Sequence, residues 1–127
     1  MFKRKRGMNL DQHEKISRLA DQFAECSKLL TAIGDETRQH LIIEMMKIGK
    51  CSGVRVGEIT EKTNLSRPAV SHHLRIMKDA GIVKMRKEGT KNYYYFDPET
   101  ESFALLISTL QTAAEISKEL PNRCGEE

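Results

Sequence analysis

The chain has no tryptophan, three prolines and three cysteines in 127 residues, and aromatic side chains make up only 6% of it. Cys26, Cys51 and Cys124 are too few, and odd in number, to staple a small secreted fold, which excludes a disulfide framework and points to reducing cytosol. No apolar run approaches the roughly 20 residues that cross a bilayer. The basic opening leads into a polar helical pattern, not the apolar segment of a signal peptide, so a soluble, cytoplasmic protein with no membrane partner is expected. Glycine-rich phosphate loops are missing too. No pair of carboxylates stands out, and no cysteine stands at motif spacing from a histidine, so the residues give no reason to expect an enzyme or a cofactor.

What the chain does have is charge, unevenly placed. The formal net charge is only +3, yet Arg67 to Lys91 carries seven basic residues against Asp79 and Glu88, and the opening FKRKRG adds four more. The end of the chain is acidic. Such asymmetry favours a polyanionic partner over a general surface charge.

The length fits one domain with helical additions at its ends. Residues 1–10 read as a flexible basic arm with little to bury, residues 11–120 as the folded domain, and residues 121–127 as a tail. From Asp11, apolar positions Ile16, Leu19, Ala20, Phe23, Cys26, Leu30 and Ile33 recur at helical spacing, which predicts one long amphipathic helix ended by Gly34. Asp35 is placed to cap the next helix, whose stripe is Leu41, Ile42, Met45, Met46 and Ile48 before Gly49. A short helix over Val56 to Lys62, a turn at Thr63-Asn64-Leu65 and a helix over 67–80 follow. Ser66 suits the N-cap of that helix and Pro68 its first turn. Residues 83–87 and 92–96 alternate and carry β-branched or aromatic side chains, so they read as a hairpin turning at 88–91. Asp97-Pro98 then reads as the start of a last helix, with a seam of Phe103, Leu106, Ile107, Leu110, Ala113 and Ala114. The expected class is mainly α with a small β-hairpin.

The sequence SHHLR poses a specific question, because His72 and His73 could be metal ligands, a catalytic pair or parts of a reading surface. Successive helical residues are turned by about 100°, so adjacent histidines cannot share a face. Val70, Leu74 and Met77 form the apolar stripe, with His73 on its inward flank as a hydrogen-bonded core residue. Ser71, His72, Arg75 and Asp79 face outward, with Arg67 and Lys78 at the margins. That outward set suits a helix in a DNA major groove, where arginine meets guanine edges or phosphates and serine and histidine act as short donors or acceptors. Short helix, tight turn and longer helix have the pattern of a helix-turn-helix, and the hairpin would act as a wing. Lys84, Arg86, Lys87 and Lys91 on the wing are placed to meet phosphates.

The segments LLTAIGDETRQHLI and LSRPAVSHHLRIMKDAGIVKMRKEGTKNYYYF resemble the ArsR/SmtB family of bacterial winged-helix repressors, and in outline the likeness extends over the whole chain. The resemblance implies a homodimer packed through its first and last helices, a double-stranded DNA operator, and repression relieved by an inducer of unknown identity. It also implies DNA-contact roles for Ser71 and His72, and for Arg67 at a common polar contact position. Pro68 stands where the family often has a hydroxyl residue.

Many members of that family bind metal through cysteines in a stretch like ELCVCDL. This chain reads SGVRVGEI there, with Arg55 and Gly57 at the two cysteine positions. The other common site, on the last helix, needs histidines, and none follows His73. No metal site of either kind is therefore expected. Cys26 and Cys124 remain as candidates for a thiol-based metal or redox sensor, should the terminal helices pack across a dimer. The expectation is a DNA-binding repressor. Its alternatives are a winged-helix module that binds an acidic protein, and a cysteine-based sensing repressor.

Overall fold

The computed structural model describes residues 10–120. The basic opening and the tail that carries Cys124 lie outside those residues. The element order is α1 (Leu10–Glu25), α2 (Ser27–Ile33), α3 (Glu36–Ile48), α4 (Val56–Lys62), α5 (Arg67–Asp79), β1 (Lys84–Glu88), β2 (Lys91–Tyr95) and α6 (Glu101–Glu119). This is a winged helix-turn-helix, with α4 and α5 as the helix pair and β1–β2 as the wing. The described residues divide into two compact units, one running from Ser27 to Phe103 and the other made by residues 10–26 with 104–120.

Within the Ser27–Phe103 unit the core is built from one stripe of each helix. Leu41 and Met45 from α3, Ile59 from α4, and Val70, Leu74 and Met77 from α5 are all buried, together with Val54, Ile82 and Val83 from the connections. Fully burying side chains of this size contributes roughly 1.5–3 kcal/mol each relative to leaving them exposed. The helix ends are set locally. Asp35 accepts from the Arg38 N–H at 3.0 Å, Ser66 from the Ala69 N–H at 3.2 Å, and Gly49 ends α3 in the left-handed region. These caps match the expected ones.

Recognition-helix candidate α5 stops at Asp79, one residue short of expectation. Gly81, at φ +84°, donates to the Lys78 carbonyl, and Ile82 donates to the Met77 carbonyl at 2.9 Å. This pairing over a left-handed glycine satisfies carbonyls that the helix end leaves free, while the flanking Ile82 and Met77 are both buried. The chain therefore leaves α5 in a fixed direction toward the wing.

Three expectations need correcting. The long first helix is two helices, because the Cys26 N–H is shared between the Gln22 and Phe23 carbonyls at 3.1 Å each and Ser27 begins a new helix. A continuous apolar stripe cannot reveal such a break. The wing strands are 84–88 and 91–95, not 83–87 and 92–96, since Glu88 pairs with Lys91 across the two-residue turn Gly89-Thr90. Gly89 has φ +61° and Thr90 does not have positive φ, the geometry of a tight turn whose twist matches the strands. Finally, Asp97 does not cap α6. Its side chain accepts from the Glu99 N–H and pairs with Lys84, while the Thr100 N–H closes a turn on the Asp97 carbonyl. The helix begins only at Glu101, where Thr100 Oγ1 accepts from the Ser102 N–H.

In the other unit, α1 carries no fully buried residue, and Leu10, Phe23, Ile107 and Leu110 are exposed. Among its described residues, Cys26 and Thr109 are the most deeply buried side chains, with Sγ and Oγ1 3.5 Å apart.

Candidate nucleic-acid interface

The orientation of α5 is set by its buried stripe. With Val70, Leu74 and Met77 all sealed in the core, the opposite side must face water; His72, Arg75 and Asp79 are exposed there, and Arg67 and Lys78 are exposed at its margins. Ser71 is half-buried at the edge of that face. The hydroxyl, imidazole, guanidinium and ammonium groups expected on one surface are therefore together on it. Pro68 sits in the first turn, where a missing N–H removes no helical hydrogen bond.

Arg67 has a specific seat. A Cβ built on Gly57 of α4 would stand 3.2 Å from Arg67 Nη1, so the guanidinium lies against the bare backbone of that glycine. The helix before the turn thus holds the first side chain of α5. In the sequence, Gly57 stands only where the resembling family has a cysteine.

The two histidines part as helical geometry requires. Their rings meet edge to face, with centroids 5.6 Å apart, but His72 is exposed and His73 is half-buried. Nδ1 of His73 lies 3.2 Å from Nη1 of Arg38. A guanidinium can only donate, so Nδ1 accepts and the neutral ring carries its proton on Nε2. Burial, and then the positive charge of Arg38, push the His73 pKa below the ordinary imidazole value; Asp35 opposes this and His72 adds to it. His73 is held neutral.

Arg38 is the residue that sequence reasoning missed. It is 8% exposed, and its Nε and Nη2 donate to the Ala32 and Thr31 carbonyls at 2.9 and 3.2 Å. Those carbonyls close the C-terminal turn of α2, which has no basic side chain of its own there. A signal was present: position 38 continues the Leu41–Met45 stripe one turn toward the N-terminus, on the inward face of α3. A charge on that stripe needs partners.

The wing divides its basic residues into two groups. Lys87 and Lys91 are exposed and form no ion pair with a described residue, whereas Lys84 is paired with Asp97. That pairing raises the Lys84 pKa and lowers that of Asp97. Arg86 is engaged as well. It pairs with Glu88, donates to the Ser52 carbonyl, and lies 4.7 Å over the Tyr93 ring, whose centroid is also 5.8 Å from the Arg55 guanidinium. Arg86 thus braces the wing against the loop before α4, a job that alternation alone could not reveal.

Of the thiol pair considered from the sequence, Cys26 is 1% exposed and Cys124 lies outside the described residues. Cys51 is exposed. Among the described residues, no group of three or more histidines, cysteines or carboxylates is placed to hold a metal ion. No described helix is long and apolar enough to cross a membrane.

Comparison with known proteins agrees with this geometry. A family model described as bacterial regulatory protein, arsR family, matches residues 36–85, which span α3 to the start of the wing. An HTH-type transcriptional regulator of Methanocaldococcus jannaschii is 34% identical over 91 residues, covering 71% of this chain and 99% of the relative. The transcriptional repressor SdpR of Bacillus subtilis is 35% identical over 68 residues, 54% of this chain and 71% of that protein. Among solved structures, an ArsR-like transcriptional regulator from Rhodococcus sp. RHA1 superposes with a TM-score of 0.59 at 25% identity, covering 79% of this chain and 84% of that one.

Proposed function

From its membership of the ArsR family of bacterial regulatory proteins, we propose that this chain is a cytoplasmic, homodimeric transcriptional repressor that reads a double-stranded DNA operator with α5. The observation that carries the reading is the polar face of α5. Ser71, His72 and Arg75 face away from a sealed apolar stripe, with Arg67 and Lys78 exposed at the margins, beside a wing that offers Lys87 and Lys91. On this reading Ser71, His72 and Arg75 meet base edges or the groove walls, while the wing lysines meet phosphates and fix the register. Arg86 contributes by bracing the wing.

The homodimer rests on the exposed apolar side chains of α1 and α6. Leu10, Phe23, Ile107 and Leu110 leave apolar area in water that a second copy would cover. A two-fold dimer presents two copies of α5, so the operator should be an imperfect palindrome with half-sites one or more helical turns apart. Release by an inducer belongs to the same proposal.

Selection of bound sequences from random duplexes tests the reading directly. A palindromic winner is the expected outcome, and Arg75→Ala or His72→Ala should weaken its binding by about 1–3 kcal/mol if each meets a base. Weak, unselective duplex retention, or winner affinity indifferent to both substitutions, would instead favour a module that binds an acidic protein. Metals, oxidants and metabolites can then be screened for release of the winning duplex.

A further inference from the structure

Between the reading helix and the helices behind it lies a part-buried polar contact that DNA recognition does not itself require. The Arg38 side chain ties three helices. Rooted in α3, it donates to the Thr31 and Ala32 carbonyls of α2 and to His73 Nδ1 of α5. Arg38 is anchored further by its own N–H, which Asp35 accepts. An aliphatic side chain would have filled the same space at less desolvation cost, because a buried charge is tolerated only when its hydrogen bonds are met. Two of its acceptors are main-chain carbonyls, which no pH change removes. The third is an imidazole nitrogen, which can lose its accepting lone pair to a proton.

We propose that the Arg38–His73 hydrogen bond adds to the buried stripe of α5 a polar positioning contact with α2 and α3, and that it opens when His73 takes a proton at Nδ1. Operator affinity then falls on acidification. The inference rests on the DNA-binding reading above. Protonation has two effects at this site: Nδ1 ceases to accept, and an imidazolium faces a guanidinium that cannot give up its charge. The charged groups facing the ring are Arg38 and Asp35 from the start of α3 and His72 from α5 itself. From α2, Arg38 takes the Thr31 and Ala32 carbonyls. Asp35 eases protonation, but it is committed to the Arg38 N–H at 3.0 Å. His73 is one residue from His72 and two from Arg75, so any shift of its backbone is passed directly to the face that reads DNA.

The test is operator affinity at constant ionic strength from pH 8 to about pH 5, the range in which imidazoles titrate. All proteins carry His72→Gln, which removes the neighbouring imidazole from the outer face and leaves His73 as the histidine of α5. In that background affinity should fall by up to about tenfold per pH unit per protomer once His73 begins to protonate. His73→Asn places an amide oxygen near the Nδ1 position as a non-titrating acceptor, and it should flatten the profile whatever its affinity at neutral pH. A second readout is the His73 ring titration followed by NMR in the free protein, where Arg38→Gln should move the midpoint up by removing the neighbouring cation. Parallel pH profiles with and without His73→Asn, or a midpoint unmoved by Arg38→Gln, would overturn the proposal. Failure to bind any duplex at any pH would sink the DNA reading instead, and the ring titration would still decide whether Arg38 controls His73.

Discussion

Gly81→Ala is the sharpest structural perturbation available, because two independent costs meet at one atom. Gly81 sits at φ +84°, and a Cβ built there would stand 2.2 Å from Ser102 Oγ and 3.2 Å from Ser102 Cβ. Left-handed backbone costs an ordinary residue about 1–2 kcal/mol. Turning Ser102 away and easing its Cβ back by a few tenths of an ångström adds an overpacking cost of about 1 kcal/mol, near the lower end for such insertions. The expected loss is therefore about 2–3 kcal/mol in urea unfolding, a large share of the 5–15 kcal/mol or so that holds a domain together. Ser102→Gly removes both contact atoms. In a double-mutant cycle, Gly81→Ala with Ser102→Gly should retain only the backbone part, so the coupling should come to roughly 1 kcal/mol. The consequence reaches function, since Gly81 also sets the direction in which α5 hands the chain to the wing. Gly81→Ala as stable as the parent would refute the left-handed turn, and zero coupling to Ser102 would refute the contact.

Gly57→Ala should gain roughly 0.5–1 kcal/mol of helix stability, as alanine does over glycine in a helix, yet weaken operator binding by shifting the Arg67 guanidinium, whose Nη1 would stand 3.2 Å from the new Cβ; calorimetry paired with a binding assay would show the two moving in opposite directions. Lys87→Ala and Lys91→Ala should each reduce the log–log salt slope of DNA binding by about 0.9, whereas Lys84→Ala, already paired with Asp97, should change it little; equal slopes for all three would place phosphate contact elsewhere. Glu58 accepts from the Arg55 N–H and pairs with Lys50, which together hold its carboxyl below the usual carboxylate range. With its folded pKa depressed, the stability it contributes is present above its unfolded pKa and lost as pH falls through the folded one. Glu58→Ala should thus cost about 1 kcal/mol at neutral pH, as loss of a cap does, and the gap to the parent should narrow under acid in thermal melts.

Local chemistry explains which features were legible in the sequence. Asp35, Ser66, Pro68 and Gly49 act on backbone groups within four residues of themselves, so each helix end that they set could be placed from composition and spacing. The stripe Val70, Leu74, Met77 has a period, and that period alone determined that His72 and His73 would part and that Arg75 would lie on the outer side with Arg67 and Lys78 at its margins. Contacts between distant segments have no such signature. That Arg38 would leave solvent for the Thr31 and Ala32 carbonyls and His73 depended on α2, α3 and α5 meeting at one point. That Lys84 and Arg86 would be occupied while Lys87 and Lys91 stayed exposed depended on where Asp97, Ser52 and Tyr93 came to lie. The break at Cys26 left no mark on an unbroken apolar stripe. Period and capping are properties of a few consecutive residues, so the sequence determined the elements and the face α5 presents. Hydrogen-bond partners across tens of residues exist only once the core has closed, so tertiary structure alone decided which charges on that face and on the wing are available to a polyanion.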